Sequence, residues 1–237
     1  MKSWNTGRCC FWTCCCTGVL LAQRSFGFSD TTRNTLWLLR HGRSKANEAG
    51  RIVSQPANAL LAEYGLSAVG REQARTAAAT TFLTTAAAQQ QDDNEDVVLI
   101  ITSDFTRAQE TAEIVQQTIV EQAAPRRRVV ELHVDVRLRE RDFGDWELTD
   151  DSNYAKVWAD DADGIQNGGV ESVTSVLERS RACIDEWNSR YENCCLVFVA
   201  HGDVLQIVQT SFTSPQLSPN AHRSLPHLET ATPRRIS

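Results

Sequence analysis

The stretch TLWLLRHGRSKAN, Thr35 to Asn47, carries an apolar run straight into Arg40 and His41, with Arg43 and Lys45 close behind. Strand ends ordinarily run into Gly, Asn, Asp or Ser; here positive charge collects around an imidazole. Imidazole changes its charge near neutral pH and serves as nucleophile or proton carrier. Guanidinium forks match the oxygens of a phosphate. Three further places offer related chemistry: Ser103 with Arg107 a helical turn on, Glu140 between Arg139 and Arg141, and His201 followed by Gly202. Taken singly, each has an ordinary reading as a solvated histidine, a surface arginine or a salt-bridged carboxylate. Arg107 already stands out, because a cation in the first turn of a helix opposes the helix dipole unless an anion is expected there.

The elements that would carry these groups can be read from periodicity. Four apolar runs are strand candidates: TLWLL 35–39, VVLIITS 97–103, VVELHVDV 129–136 and CLVFVA 195–200. The first, second and fourth are apolar nearly throughout, as in strands covered on both faces, whereas the third alternates like a half-buried or edge strand. Between them lie helical stripes: Ala74, Ala77, Ala78, Phe82 and Leu83 after Ser67; Ala108, Ala112, Val115 and Ile119 after Asp104. A third stripe after Ser172 runs through Val173, Val176, Leu177, Ile184, Trp187 and Tyr191, interrupted by Ser180. Strands alternating with core-facing helices predict an α/β fold, a mostly parallel central sheet with helices on both faces. Open sheets of this kind place ligands beyond the carboxyl ends of their strands. Arg40-His41, Ser103 with Arg107, the 139–141 triplet and His201-Gly202 are what those four ends deliver. QQQDDNED, 89–96, reads as a solvated loop, and the Ser- and Pro-rich stretch 213–237 shows no strong final strand.

At 237 residues, 41% hydrophobic and 23% charged, the chain has room for one sizeable α/β domain, expected over 30–237, behind a leader over 1–29. The net charge is −6, and the leader holds Lys2, Arg8 and Arg24 with no acid, so the remainder carries −9. An acidic body is a poor nucleic-acid binder; PRRR 125–128 and PRR 233–235 are short, isolated and lack interleaved aromatics. Any anionic ligand must be held by a local cluster of cations. The leader, with its broken apolar run from Phe11 to Ala22, is compatible with a secretory signal or organelle-targeting peptide that engages targeting machinery or a membrane. The alternative is a disordered, cysteine-acylated tail on a cytoplasmic protein. Five of the eight cysteines fall in the leader; Cys183, Cys194 and Cys195 read as free, buried thiols. No metal-ligand spacing is present, so no metal and no cofactor is expected.

Five boxes carry a resemblance: LLRHGRSKAN (38–47), GLSAVGREQA (65–74), TSDFTRAQETA (102–112), LRERDFGDWE (138–147) and VFVAHGDVLQIV (197–208). In this order the chain resembles the histidine phosphatase superfamily, in its phosphoglycerate mutase-like branch, over roughly residues 35 to 228. The resemblance implies that His41 is a nucleophile forming a phosphohistidine. Arg40, Arg107 and His201 would surround the phosphoryl group, Glu140 would donate a proton, and Asn47, Ser54 and Gly202 would help bind phosphate. The implied partner is a small phosphorylated substrate. Phosphoryl transfer spreads negative charge over three oxygens, so catalysis by position and charge is what such a set supplies.

Two histidines in one site are expected in opposite protonation states, His201 charged beside the phosphate and His41 with a bare nitrogen. Glu140 presents a conflict, since Arg139 and Arg141 would keep it ionised while a general acid must hold a proton; in an extended chain the two arginines would point to the face opposite Glu140. Some positions depart from the family pattern. Arg43 stands where Glu or Gln is common, Leu148 where glycine is common, and Ser54 one place later than the usual hydroxyl. From Glu147 to Asp163 the acids Glu147, Asp150, Asp151, Asp160, Asp161 and Asp163 face Lys156 alone, read as a solvated acidic loop that argues against a mutase. The leading reading is a metal-independent phosphomonoesterase. The alternatives are a phosphoglycerate-type mutase and a non-catalytic phosphate-binding module. His133, His222 and His227 receive no role, and neither the substrate's identity nor the oligomeric state is written in a phosphate clamp.

Overall fold

Leu36, Leu38 and Leu39 are all fully buried, and so are Leu99, Ile100 and Ile101. Consecutive buried apolar residues in an extended chain require cover on both faces. The computed structural model, which describes residues 34–82, 96–122 and 128–236, supplies that cover. The leader expected over 1–29, all but the last residue of the 89–96 loop and residues 125–127 lie outside the described residues.

Strands β1 (Thr35–Arg40), β2 (Asp96–Thr102), β3 (Arg128–Val134), β4 (Cys195–Ala200) and β5 (Pro233–Arg235) form one sheet in the order β3-β2-β4-β1-β5. All neighbours are parallel except β5, which lies antiparallel on β1. The fold is therefore α/β with a mostly parallel sheet. The final strand was not expected from a stretch holding Pro233; proline is tolerated there because β5 is an edge. Arg234, read from sequence as part of an isolated basic triplet, instead ties the tail down by donating to Pro226 O and His227 O. β3 stops two residues short of the expected Val136 because the Asp135 side chain accepts from Arg137 N and caps a 3-10 turn.

The helices are α1 (Lys45–Glu48), α2 (Pro56–Ala59), α3 (Ala68–Ala77), α4 (Thr106–Gln122), α5 (Tyr154–Ala162), α6 (Val173–Arg190) and α7 (Gly202–Gln209). Alternate strand residues part onto two cores. Leu36, Leu38, Leu99, Ile101, Leu196 and Phe198 meet Cys183, Ile184 and Trp187 of α6 and Leu205 and Val208 of α7. Leu39, Val98, Ile100, Val197 and Val199 meet Ala77 of α3 and Ala108, Ala112, Val115 and Ile119 of α4. Ser67 and Ser172 cap α3 and α6, accepting from Gly70 N and Ser175 N. Ser180, the break in the third stripe, donates back to Val176 O and so satisfies its buried hydroxyl. Cys183 and Cys194 are buried free thiols, and Cys195 is half-buried.

The acidic stretch 147–163 is not a loop. It contains a 3-10 turn and α5, and its acids divide: Asp150, Asp151 and Asp163 face solvent while Asp161 is buried. Asp161 accepts two bonds from Arg141, at 2.6 and 2.7 Å. Glu147 accepts from Ser54 N, Ser54 Oγ and Asn58 Nδ2. Asp151 of this segment lines the cavity described below, whereas Glu147 and Asp161 are taken up by hydrogen bonds within the protein. Leu148 has φ 60, the left-handed region that explains why glycine is common at that place in the family pattern.

Candidate active site

The register of β1 on β4 pairs Arg40 with Ala200, so the residues that follow, His41 and His201, leave the sheet side by side. His41 N donates to Ala200 O, and the two rings sit 5.2 Å apart, tilted by 59°. One strand further, β2 ends at Ser103, whose Oγ lies 3.0 Å from His201 Nε2.

The loop carrying His41 is held by close packing. Gly42 N donates to Thr111 Oγ1 of α4, and Ser67 N donates to Arg43 O. A Cβ on Gly70 would lie 2.0 Å from Arg43 O, and one on Gly42 would lie 2.3 Å from Gly70 O. The glycines are required by contact, not by flexibility.

His41 Nδ1 lies 2.7 Å from Gly42 O and must therefore carry the proton. That leaves Nε2 as a lone pair, which accepts from Arg107 Nε at 3.1 Å. Burial, then Arg107 and Arg40, push His41 well below the ordinary imidazole value. Arg107 is buried, donates from Nη2 to Val53 O, and has no carboxylate partner among the described residues. Arg40 donates from Nη1 to His227 Nε2 and Leu228 O. Among the described residues, Arg40 Nε, Arg107 Nη1 and His201 Nδ1 are buried with no hydrogen-bond partner.

The expectation of a charged His201 concerns the site with phosphate bound; in the protein alone, burial, then Arg107 and His41, lower its pKa and favour a neutral ring. Ser103 Oγ already accepts from Phe105 N, and its proton is left for His201 Nε2. The unpartnered Nδ1 is then an N–H, and a neutral His201 still offers a donor.

The conflict over Glu140 resolves without strand alternation. Arg139 is bound to Asp104 and Arg141 to Asp161 and Asp203, so neither neighbouring guanidinium pairs with Glu140. Glu140 is buried, its Oε1 accepts from Arg141 N, and its pKa rises to about 7. Burial is the largest cause and the Asp203 carboxylate the next, opposed by Arg107.

Arg40, His41, Asn47, Arg107, Glu140 and Gly202 line one cavity of about 190 Å³. Asn47 gives its carboxamide oxygen to Ser44, leaving its NH2 for the pocket. Gly202 opens α7, and a Cβ there would come within 3.2 Å of the Arg40 guanidinium. His201 packs against His41 without lining the cavity. Ser54 is a correction: it is absent from the wall, its hydroxyl donating to Glu147 and accepting from Phe143 N. Arg43 points outward, 3.9 Å from Glu48. Sequence reasoning missed Arg51, Asp151, Tyr154, Trp158, Asp203, Arg223 and His227, which share the wall with Ser44, Ala46 and Val53. The spacing of Tyr154, Val157, Trp158 and Asp161 is a helical face that could have been read, and Arg223 and His227 lie in HRSLPHLET, noted without chemistry. Among the described residues no group of three or more His, Cys, Asp or Glu is placed to hold a metal.

Comparison with known proteins places the sequence and the fold. The sequence model of the histidine phosphatase superfamily (branch 1) matches residues 36–234. Glucosyl-3-phosphoglycerate phosphatase of Mycolicibacterium vanbaalenii is 31% identical over 184 residues, 72% of this chain and 70% of that protein. The solved mycobacterial glucosyl-3-phosphoglycerate phosphatase in complex with VO3 superimposes with a TM-score of 0.63 at 25% identity, over 85% of this chain and 90% of that one. Alpha-ribazole phosphatase from Shigella flexneri shares the fold, with a TM-score of 0.58 at 23% identity, over 85% of this chain and 89% of that one.

Proposed function

The chain belongs to the histidine phosphatase superfamily (branch 1), and from that premise we propose that it is a phosphomonoesterase working through a phosphohistidine on His41. The observation that carries the reading is the His41 tautomer: Nδ1–H held by Gly42 O, Nε2 bare and beside Arg107. A phosphoryl group seated against Arg40 and Arg107 is attacked by Nε2. The P–Nε2 bond forms as the P–O ester bond breaks, and the Glu140 proton passes to the leaving oxygen. Positive charge developing on the ring is shared through Nδ1–H with Gly42 O. Water then attacks the phosphohistidine, giving its proton to Glu140, and inorganic phosphate leaves with His41 restored.

The developing charge is met by guanidinium groups of the chain itself, which supports a mechanism needing no metal. A pKa of about 7 suits Glu140 to act as acid in the first step and base in the second. The curated relative is named for a small phosphorylated substrate, and a cavity of about 190 Å³ has room for one.

The test is to follow inorganic phosphate and phosphoryl isomers together, and to quench the reaction for acid-labile phosphate on His41. Phosphate release with a trapped phosphohistidine, both absent in His41→Ala, is the expected result. Isomer formation without net phosphate release would make the protein a mutase; ester binding with no trapped phosphate would make it a binding module.

A further inference from the structure

Arg40 and Arg107 flank the attacking nitrogen, but the cavity wall holds another guanidinium, Arg223, that the phosphoryl step does not use. Its side chain lies 3.7 Å over the ring of Trp158 and donates from Nη1 to Gln206 Oε1. Trp158 is itself fixed: its Nε1 donates to Asp203 Oδ1 at 2.9 Å, and its ring stacks on Tyr154 with centroids 5.5 Å apart and planes 9° apart. Among the described residues, Nε and Nη2 of Arg223 have no hydrogen-bond partner and no carboxylate lies within ion-pairing distance of it. The carboxylate in its vicinity, Asp203, is committed to Arg141 Nη1 and Trp158.

We propose that Arg223 is the specificity-determining residue of this pocket, receiving a carboxylate carried by the alcohol portion of the phosphate ester; this rests on the phosphatase reading above. A half-buried cation held rigid, with two donors left open, is placed for a ligand. Burial is the largest cause working against its charge and Arg40 adds to it, opposed by the field of Asp203. A planar fork with two free donors fits a carboxylate in a bidentate pair. Position supports the same assignment. Gln206 Oε1 also lies 3.3 Å from His227 Nδ1, and His227 Nε2 accepts from Arg40 at 2.8 Å. Arg223 is thereby set in one hydrogen-bonded chain with Arg40, on the wall of the same cavity.

The experiment compares 3-phosphoglycerate with glycerol 3-phosphate, which share a three-carbon frame and differ in the carboxylate, with p-nitrophenyl phosphate as a general ester. The expected kcat/KM ratio of the first to the second is about ten or more, and Arg223→Gln lowers that ratio about ten-fold, chiefly through KM. Arg223→Lys recovers part of the preference. A wild-type ratio near one overturns the proposal without any variant. So does an equal loss on both esters in an Arg223→Gln protein that keeps its melting temperature, since that would place Arg223 on the phosphoryl group. Absence of phosphate release from all three esters would instead remove the phosphatase reading.

Discussion

At the scale of single residues, the site works by holding two groups away from their ordinary protonation. His41 is kept neutral by burial and two guanidinium groups, and Glu140 is kept partly protonated by burial and Asp203. As the proposed nucleophile His41 is active when deprotonated, so its limb of the pH profile should lie well below 6.5. As the proposed acid Glu140 is active when protonated, so turnover of alkyl phosphates should fall as pH rises through about 7. Glu140→Gln should slow poor leaving groups by about 10²–10⁴ and leave aryl phosphates much less affected; equal loss on both would remove Glu140 as the acid. Asp203→Asn removes one of the two charges that Arg141 compensates and the like charge facing Glu140. The descending limb should then move to lower pH, and a limb that stayed in place would leave burial as the sole cause of the raised pKa.

At the scale of elements, the loop bearing His41 is only as well placed as the helix behind it. α3 enters through Ser67 and approaches the loop at Gly70, so close that no side chain fits between. Gly70→Ala must push α3 or the loop aside, costing about 1–3 kcal/mol of stability and displacing His41 from Arg107. Thermal unfolding and kcat should fall together; an unchanged kcat would show that the loop is held by Thr111 alone. This element logic also marks what was legible in the sequence. The four parallel strands and the helices α3, α4 and α6 were readable because each follows a period set by burial. β5 was not, since three residues holding Pro233 become a strand only by lying along β1. α5 was not, because its charged face masked the Tyr154, Val157, Trp158, Asp161 stripe, and Asp161 is buried only by virtue of Arg141. The proposed catalytic set was legible because Arg40, His41, Arg107 and His201 stand at a strand end or a helix start; Glu140 instead follows a 3-10 turn. Ser54 misled because a hydroxyl near a phosphate motif says nothing about a carboxylate 93 residues later that takes its proton.

At the scale of the whole molecule, a protein of net charge −6 gathers Arg40, Arg51, Arg107 and Arg223 at one cavity. Arg107 is the extreme case: 4% exposed and, among the described residues, without a carboxylate partner and with Nη1 unpartnered. Burial disfavours its cationic form and Arg40 adds to that, opposed by the fields of Glu140, Tyr154 and Glu147. A bound phosphate would supply the missing charge and the missing acceptors at once. Replacing the guanidinium by an apolar chain of similar length removes the cost but also the function. Arg107→Met should therefore raise the stability of the unliganded protein by about 1–2 kcal/mol, a net figure after losing the bond to Val53 O. Saturating inorganic phosphate should stabilise the wild type, by about 2.7 kcal/mol at a hundred times its Kd, and leave Arg107→Met nearly unmoved. Differential scanning calorimetry with and without phosphate distinguishes the cases. A variant that melts lower than wild type yet keeps its phosphate shift would mean that Arg107 is a structural cation, and that the anion is held elsewhere on the wall.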